Sequence, residues 1–198
     1  MKHLRIGVLA SGGGSNLQSI IDRSLDSSLN GEVVLVVSNN SKAKALERAR
    51  NHGINGLHIS SFTEGSQEEA DKRICDEMLA HDVDLIVLAG YMKSIGSELI
   101  DTFEGRIINI HPALLPKFGG KGMYGMNVHR AVVAAGETES GPTVHYVDGK
   151  YDHGEIISQR KIPVYPDDTP EELQKRVLVE EHKIFPEVIQ KLSEEWER

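Results

Sequence analysis

The chain has one cysteine, Cys75, in 198 residues. A lone thiol cannot close an internal disulfide, and an intracellular setting is the simpler expectation. Positive charge is also in short supply: 22 Lys and Arg stand against 30 Asp and Glu, a formal net charge of -8. That balance argues against a protein whose main work is to neutralise nucleic-acid phosphates. It leaves room for one small anion, because local amides and a few side chains can hold one against an unfavourable net charge. No apolar run approaches the roughly 20 residues of a membrane span. The basic start "MKHLR" leads only into a short apolar run that breaks into glycines, so it reads as a first strand and not as a signal peptide. Internal repeats, low-complexity tracts and linkers are missing as well. What remains is a soluble, cytoplasmic chain long enough for one buried core, expected to form a single domain over residues 1–198.

Short runs rich in Val, Ile and Leu recur along that chain: "RIGVLA", "VVLVVS", "GLHIS", "LIVLAG" and "RIINI". They lack polar alternation, as strands covered on both faces do. Helical patterns separate most of them. Leu17, Ile20, Ile21 and Leu25 form one apolar stripe, "AKALERARNHG" ends in a glycine stop signal, and Ile74 with Met78 and Cys75 with Leu79 repeat at four-residue spacing. The alternation predicts an α/β fold with a doubly wound, mostly parallel open sheet. Residues 112–126, "PALLPKFGGKGMYGM", fit no regular element and read as a long functional loop before a short helix around "VHRAVVAAG". "TVHYVDGKYDHGEIISQRKIPV" then reads as an antiparallel hairpin turning at Asp148, Gly149 and Lys150. A long C-terminal helix follows, capped by Thr169 with Pro170 in its first turn, and with Pro186 as a point where it could kink.

In such sheets ligands gather beyond the carboxyl ends of the strands, near the point where strand order reverses. Three loops leave from such ends: "SGGGSN", "GYMKSIG" and "NIHPALLPKFGG". The first has neither the Lys-Ser/Thr ending of a P-loop nor the glycine spacing of a dinucleotide fold. Its three glycines, followed by two residues able to cap a helix, offer free N–H groups for one phosphate, the alternative being a tight turn with an N-cap. Asn109 and His111, two apart on an extended segment, project to one side. An amide beside an imidazole can stabilise an oxyanion at an acyl carbon, although a turn asparagine and a buried histidine would look the same. Asp152, just past the hairpin turn, would by itself be a turn residue. His111, His129, His145 and His153 match no zinc spacing, so scattered roles are expected and no metal. Glu181 falls on the apolar stripe formed by Leu173, Val177, Ile184, Val188 and Leu192, where a buried carboxylate needs either a basic partner or ligand hydroxyls.

Together "IGVLASGGGSNLQSIID", "DLIVLAGYMKSI", "INIHPALLPKFGGKG", "GPTVHYVDGKYDHGEIISQ" and "RVLVEEHKIFP" resemble the folate-dependent formyltransferases, in particular the phosphoribosylglycinamide formyltransferase family of purine synthesis. The resemblance runs in order from the first strand to the last helix. It implies a Rossmann-like formyltransferase fold, with a phosphate-binding half over about residues 1–105 and a catalytic, folate-binding half over about 106–198. Gly12, Gly13, Gly14, Ser15 and Asn16 would hold the phosphate of glycinamide ribonucleotide, and Glu181 its ribose hydroxyls. Asn109, His111 and Asp152 would be the catalytic set. Leu88, Tyr91, Met92, Ile95 and Val147 would line a slot for the pterin of 10-formyltetrahydrofolate, the formyl donor. Asn109 and a protonated His111 would then serve as oxyanion donors. Asp152 would favour the imidazolium by charge and, directly or through water, help move the proton to the departing nitrogen. A family position often Gln or Lys is Leu178 here. The partners implied are small molecules, not nucleic acid or membrane, with a monomer or a homodimer. The nearest alternative is a formyltetrahydrofolate deformylase, with an expected extra domain for which this chain has no room; a catalytically silent nucleotide-binding regulator is a third.

Overall fold

The computed structural model describes residues 3–196, so residues 1, 2, 197 and 198 of the expected domain lie outside the described residues. The first half alternates strictly enough to form crossovers: β1 (Leu4–Leu9), α1 (Ser15–Leu25), β2 (Gly31–Ser38), α2 (Lys44–Asn51) and β3 (Asn55–His58). Then come α3 (Ser61–Glu64), α4 (Gln67–Ala80), β4 (Leu85–Leu88), α5 (Ser97–Thr102) and β5 (Ile107–His111). After the irregular residues 112–125 the chain forms α6 (Met126–Ala134), β6 (Glu139–Ser140), β7 (Thr143–Tyr146), β8 (Ile156–Gln159), β9 (Ile162–Pro163) and α7 (Pro170–Glu195).

Seven strands make one sheet in the order β3-β2-β1-β4-β5-β7-β8, with β6 and β9 paired apart from it. The first five are parallel, and β7 and β8 add antiparallel. Strand order therefore reverses between β1 and β4, which fixes the switch-point crevice between the loops that follow them. The doubly wound sheet, the antiparallel hairpin and the long last helix match the expectation from the sequence.

Period-two side-chain direction assigns the two faces. Ile6, Val8, Val87 and Ile110 pack with Leu17 and Ile20 of α1, Ala45 of α2 and Phe185 and Ile189 of α7. Leu35, Ile86 and Ile107 pack with Ile74 and Met78 of α4 and Leu99 and Phe103 of α5 on the opposite face. Asn109 and His111 share the parity of Ile107, so they point to that second side beyond its apolar end. Helix α7 starts as its sequence dictates: Thr169 accepts from the Glu172 amide, and the Glu172 side chain reciprocates at the Thr169 N–H. Its stripe is buried, and the helix runs on through Pro186.

Three local expectations fail for identifiable reasons. Leu25 and Leu79 are exposed, at 70% and 52%, each in the last turn of its helix and turned away from the core. Helix α1 is not capped by Ser15 or Asn16; Gly14 occupies the N-cap in left-handed conformation with no side-chain cap bond. The short helices α3 and α5 had no counterpart in the sequence reading, being too short to display a period; α3 is set by the reciprocal Ser60 and Thr63 capping box. The tight turn expected at Asp148, Gly149 and Lys150 is instead a nine-residue connection, 147–155, with Asp152 in a further turn at φ 53. Among the described residues no helix is long and apolar enough to cross a membrane.

Candidate active site

The glycine loop takes its shape from α2 as much as from α1. Gly14 has φ 68, and a Cβ there would lie 2.9 Å from Ala45, so only glycine fits both the turn and the close approach. Gly12 and Gly13 differ: both are exposed, and nothing lies within 4 Å of a Cβ built on either. That open space borders the helix N-terminus, where backbone N–H groups favour an anion.

Asn16 does not cap its helix because its amide crosses to α7, where Nδ2 donates to Glu181 at 2.7 Å. Glu181 is 8% exposed, and its partner is this neutral amide, not the basic side chain that buried carboxylates usually find. Burial pushes the Glu181 carboxyl up, opposed by the Asn16 hydrogen bond and by the charge of His111. Leu178, one turn earlier on α7, is half-buried and brings no polar atom.

Strand β5 carries the Asn–His pair, and the 147–155 connection brings Asp152 back onto it. His111 Nδ1 lies 3.4 Å from Asp152 Oδ1, and Asn109 Nδ2 donates to the same oxygen at 3.5 Å. The Gly120 amide donates to Asp152 Oδ2 at 2.9 Å. Burial works to raise the Asp152 carboxyl. The hydrogen bond and charge of His111, with the bond from the Gly120 amide, outweigh it and hold the group well below the usual carboxylate range. Asp152 also sits at φ 53, a left-handed position that Asp tolerates better than most side chains.

The pairing register reveals a residue the sequence reading dismissed. Asn109 lies opposite His145 across β5 and β7, and His145 is 2% exposed. His145 Nδ1 faces the Tyr146 carbonyl at 2.7 Å and must donate to it, so in the neutral ring Nε2 is left to accept from Asn109 Nδ2 at 3.1 Å. His145 therefore fixes which way the Asn109 amide points. No spacing rule could show this, since the contact spans 36 residues. His111 has acceptors on both sides: Nε2–H donates to the Phe118 carbonyl at 2.8 Å while Nδ1 faces Asp152. A ring so placed satisfies both only when doubly protonated.

Of the five residues expected to line an apolar slot, Leu88, Tyr91, Ile95 and Val147 pack at the edge of one apolar cluster. Met92 is 52% exposed and outside it, though its amide donates to the Ser11 hydroxyl and so ties the loop after β4 to the glycine loop. Beside Tyr91 a cleft of about 420 Å³ opens, lined also by Asn39, His58, Gln67 and Lys93. His129 and His153 are not brought to the Asp152 cluster by any hydrogen bond; His153 pairs with Asp148. Among the described residues, no group of three His, Cys, Asp or Glu could hold a metal ion.

An anion-ready loop, a buried carboxylate and a His–Asp pair thus gather around one switch-point crevice, the place where α/β proteins of this class bind small molecules. The chain belongs to the formyl transferase family, which it matches over residues 4–189. It is 46% identical to the chloroplastic phosphoribosylglycinamide formyltransferase of Vigna unguiculata, over 98% of this chain and 62% of that one. It is also 46% identical to the Arabidopsis thaliana protein of the same name, over 96% of this chain and 66% of that one. The chain thus spans just under two thirds of the length of these plant relatives. Among solved structures, glycinamide ribonucleotide transformylase 1 from Symbiobacterium toebii superposes with a TM-score of 0.92 at 40% identity, covering 98% of this chain and 90% of that one.

Proposed function

We propose that this protein transfers the formyl group of 10-formyltetrahydrofolate to the glycyl amine of glycinamide ribonucleotide, a step of purine synthesis. The observation that carries the reading is the bond from Asn16 to Glu181, which joins the glycine loop to a buried carboxylate 165 residues away. A phosphate at Gly12 and Gly13 and ribose hydroxyls at Glu181 are then neighbouring parts of one molecule. Family membership and the names of the relatives support the same substrate.

The chain's residues divide the work. Leu88, Tyr91, Ile95 and Val147 offer a partly open apolar edge that fits a flat aromatic ring system, and the folate bound there would supply the formyl carbon. The loop and Glu181 orient the acceptor. Its amine, with a pKa of roughly 7.7 to 8.0 by analogy with an α-amino group, needs no strong base. Attack makes an oxyanion at the formyl carbon. His111 meets it by exchanging the neutral Phe118 carbonyl for a full negative charge, a stronger acceptor. Asn109, aligned by His145, is the second donor. Asp152 holds the His111 imidazolium by charge; the same interactions that lower its carboxyl make it a poor resting place for a proton. His111 therefore gives a proton to the departing nitrogen as the bond from the formyl carbon breaks, and the proton of the new ammonium replaces it through water.

The test is acceptor choice. Free glycinamide has the amine but not the ribose phosphate, and it should react orders of magnitude more slowly than the ribonucleotide at equal concentration. Equal rates would remove the loop and Glu181 from the acceptor site.

A further inference from the structure

The glycine loop is held from outside by a side chain that no motif singled out. Arg48 on α2 donates from Nε to the Gly13 carbonyl at 2.9 Å and from Nη1 to Gln18 Oε1, on α1, at 2.9 Å. The amide of Ala45, one turn earlier, donates to the Gly12 carbonyl at 3.1 Å. These peptides are trans, so each N–H points opposite to the carbonyl of its own peptide unit. With the Gly12 and Gly13 carbonyls drawn towards α2, the Gly13 and Gly14 N–H groups are turned the other way. Neither amide has a backbone partner among the described residues.

Arg48 has a second property. Its hydrogen-bond partners are neutral, and among the described residues no carboxylate lies within ion-pair distance of it. It is half-buried, and its charge reaches His182 on α7, which burial and Arg48 together hold below its usual range. A guanidinium left uncompensated beside two outward-turned amides raises the potential where the phosphate would sit.

We infer that Arg48 is a positioning residue for the acceptor's phosphate: it locks the Gly13 carbonyl against α2 so that the loop amides face the anion. The inference rests on the ribonucleotide reading of the loop. Lysine could keep the charge but cannot bridge Gly13 and Gln18 with a planar fork.

The experiment is steady-state kinetics of wild type, Arg48→Ala and Arg48→Lys with both substrates varied, plus inhibition by inorganic phosphate and melting curves. Arg48→Ala should raise KM for the ribonucleotide and the phosphate inhibition constant together by about tenfold or more, the scale of one lost charge-assisted hydrogen bond. The turnover number and KM for the formyl donor should stay within about twofold, since neither depends on the phosphate contact. Arg48→Lys should recover only part of the loss. An unchanged ribonucleotide KM, a fall in turnover without a change in KM, or full rescue by lysine would overturn the positioning role. Failure of phosphate to compete with the ribonucleotide in the wild type would instead overturn the phosphate reading of the loop itself.

Discussion

Glycines 12, 13 and 14 look alike in the sequence and do different things in the fold. Gly14 meets Ala45 and has φ 68, so Gly14→Val should lower the melting temperature and lose activity through misfolding, whatever the ligand. Gly13→Ala meets no neighbour within 4 Å; it should melt like the wild type and yet raise KM for the ribonucleotide, which kinetics and a thermal scan on the same sample can check. A second prediction concerns His145. Removing it frees the Asn109 amide, so His145→Ala should lower turnover by about ten- to a hundredfold, the scale seen when an orienting partner is lost, with ribonucleotide KM little changed. Unaltered turnover would return His145 to a packing role. That Asn109 and His111 share one side was legible because a strand places residues two apart on the same face. His145 was not, because its meaning comes from a register with β5 and from the Tyr146 carbonyl, neither of which a single histidine announces.

At the level of elements, apolar runs and helix starts were legible because each is a local property. Thr169 followed by Pro170 and two acidic residues is enough to begin a helix, and α7 begins there. Leu25 and Leu79 were misread because a repeat at four-residue spacing does not say whether a neighbouring element covers that side of a helix's last turn. Helix α6 carries a pH dependence of its own. His129 is 2% exposed with Nδ1 unpartnered among the described residues, and burial, then the charge of His111, lowers it from 6.5 to about 4. The unfolded chain therefore takes up a proton first. The stability His129 contributes is complete above pH 6.5 and is lost as pH falls towards about 4. Replacing His129 by Leu should flatten the fall of melting temperature across that interval, measured against the wild type in the same buffers. An identical slope in both proteins would assign the acid sensitivity elsewhere.

Across the whole molecule, the crevice lies where the strand order reverses between β1 and β4, and distant parts of the chain converge on it. The loop after β1 offers amides, the loop after β4 contributes the apolar edge, β5 and the 147–155 connection bring the His–Asp pair, and α7 returns Glu181 to Asn16. The proposed catalytic set alone would serve water as readily as an amine. Only the acceptor side distinguishes a transferase from a hydrolase, so the fate of the formyl group is the direct test. Donor labelled with ¹³C in its formyl carbon should be incubated with the protein, with and without glycinamide ribonucleotide, and the label followed by NMR. The account predicts slow release without the ribonucleotide and, with it, label appearing in the formylated glycyl amide and not in free formate. Rapid formate production that ignores the ribonucleotide would contradict it.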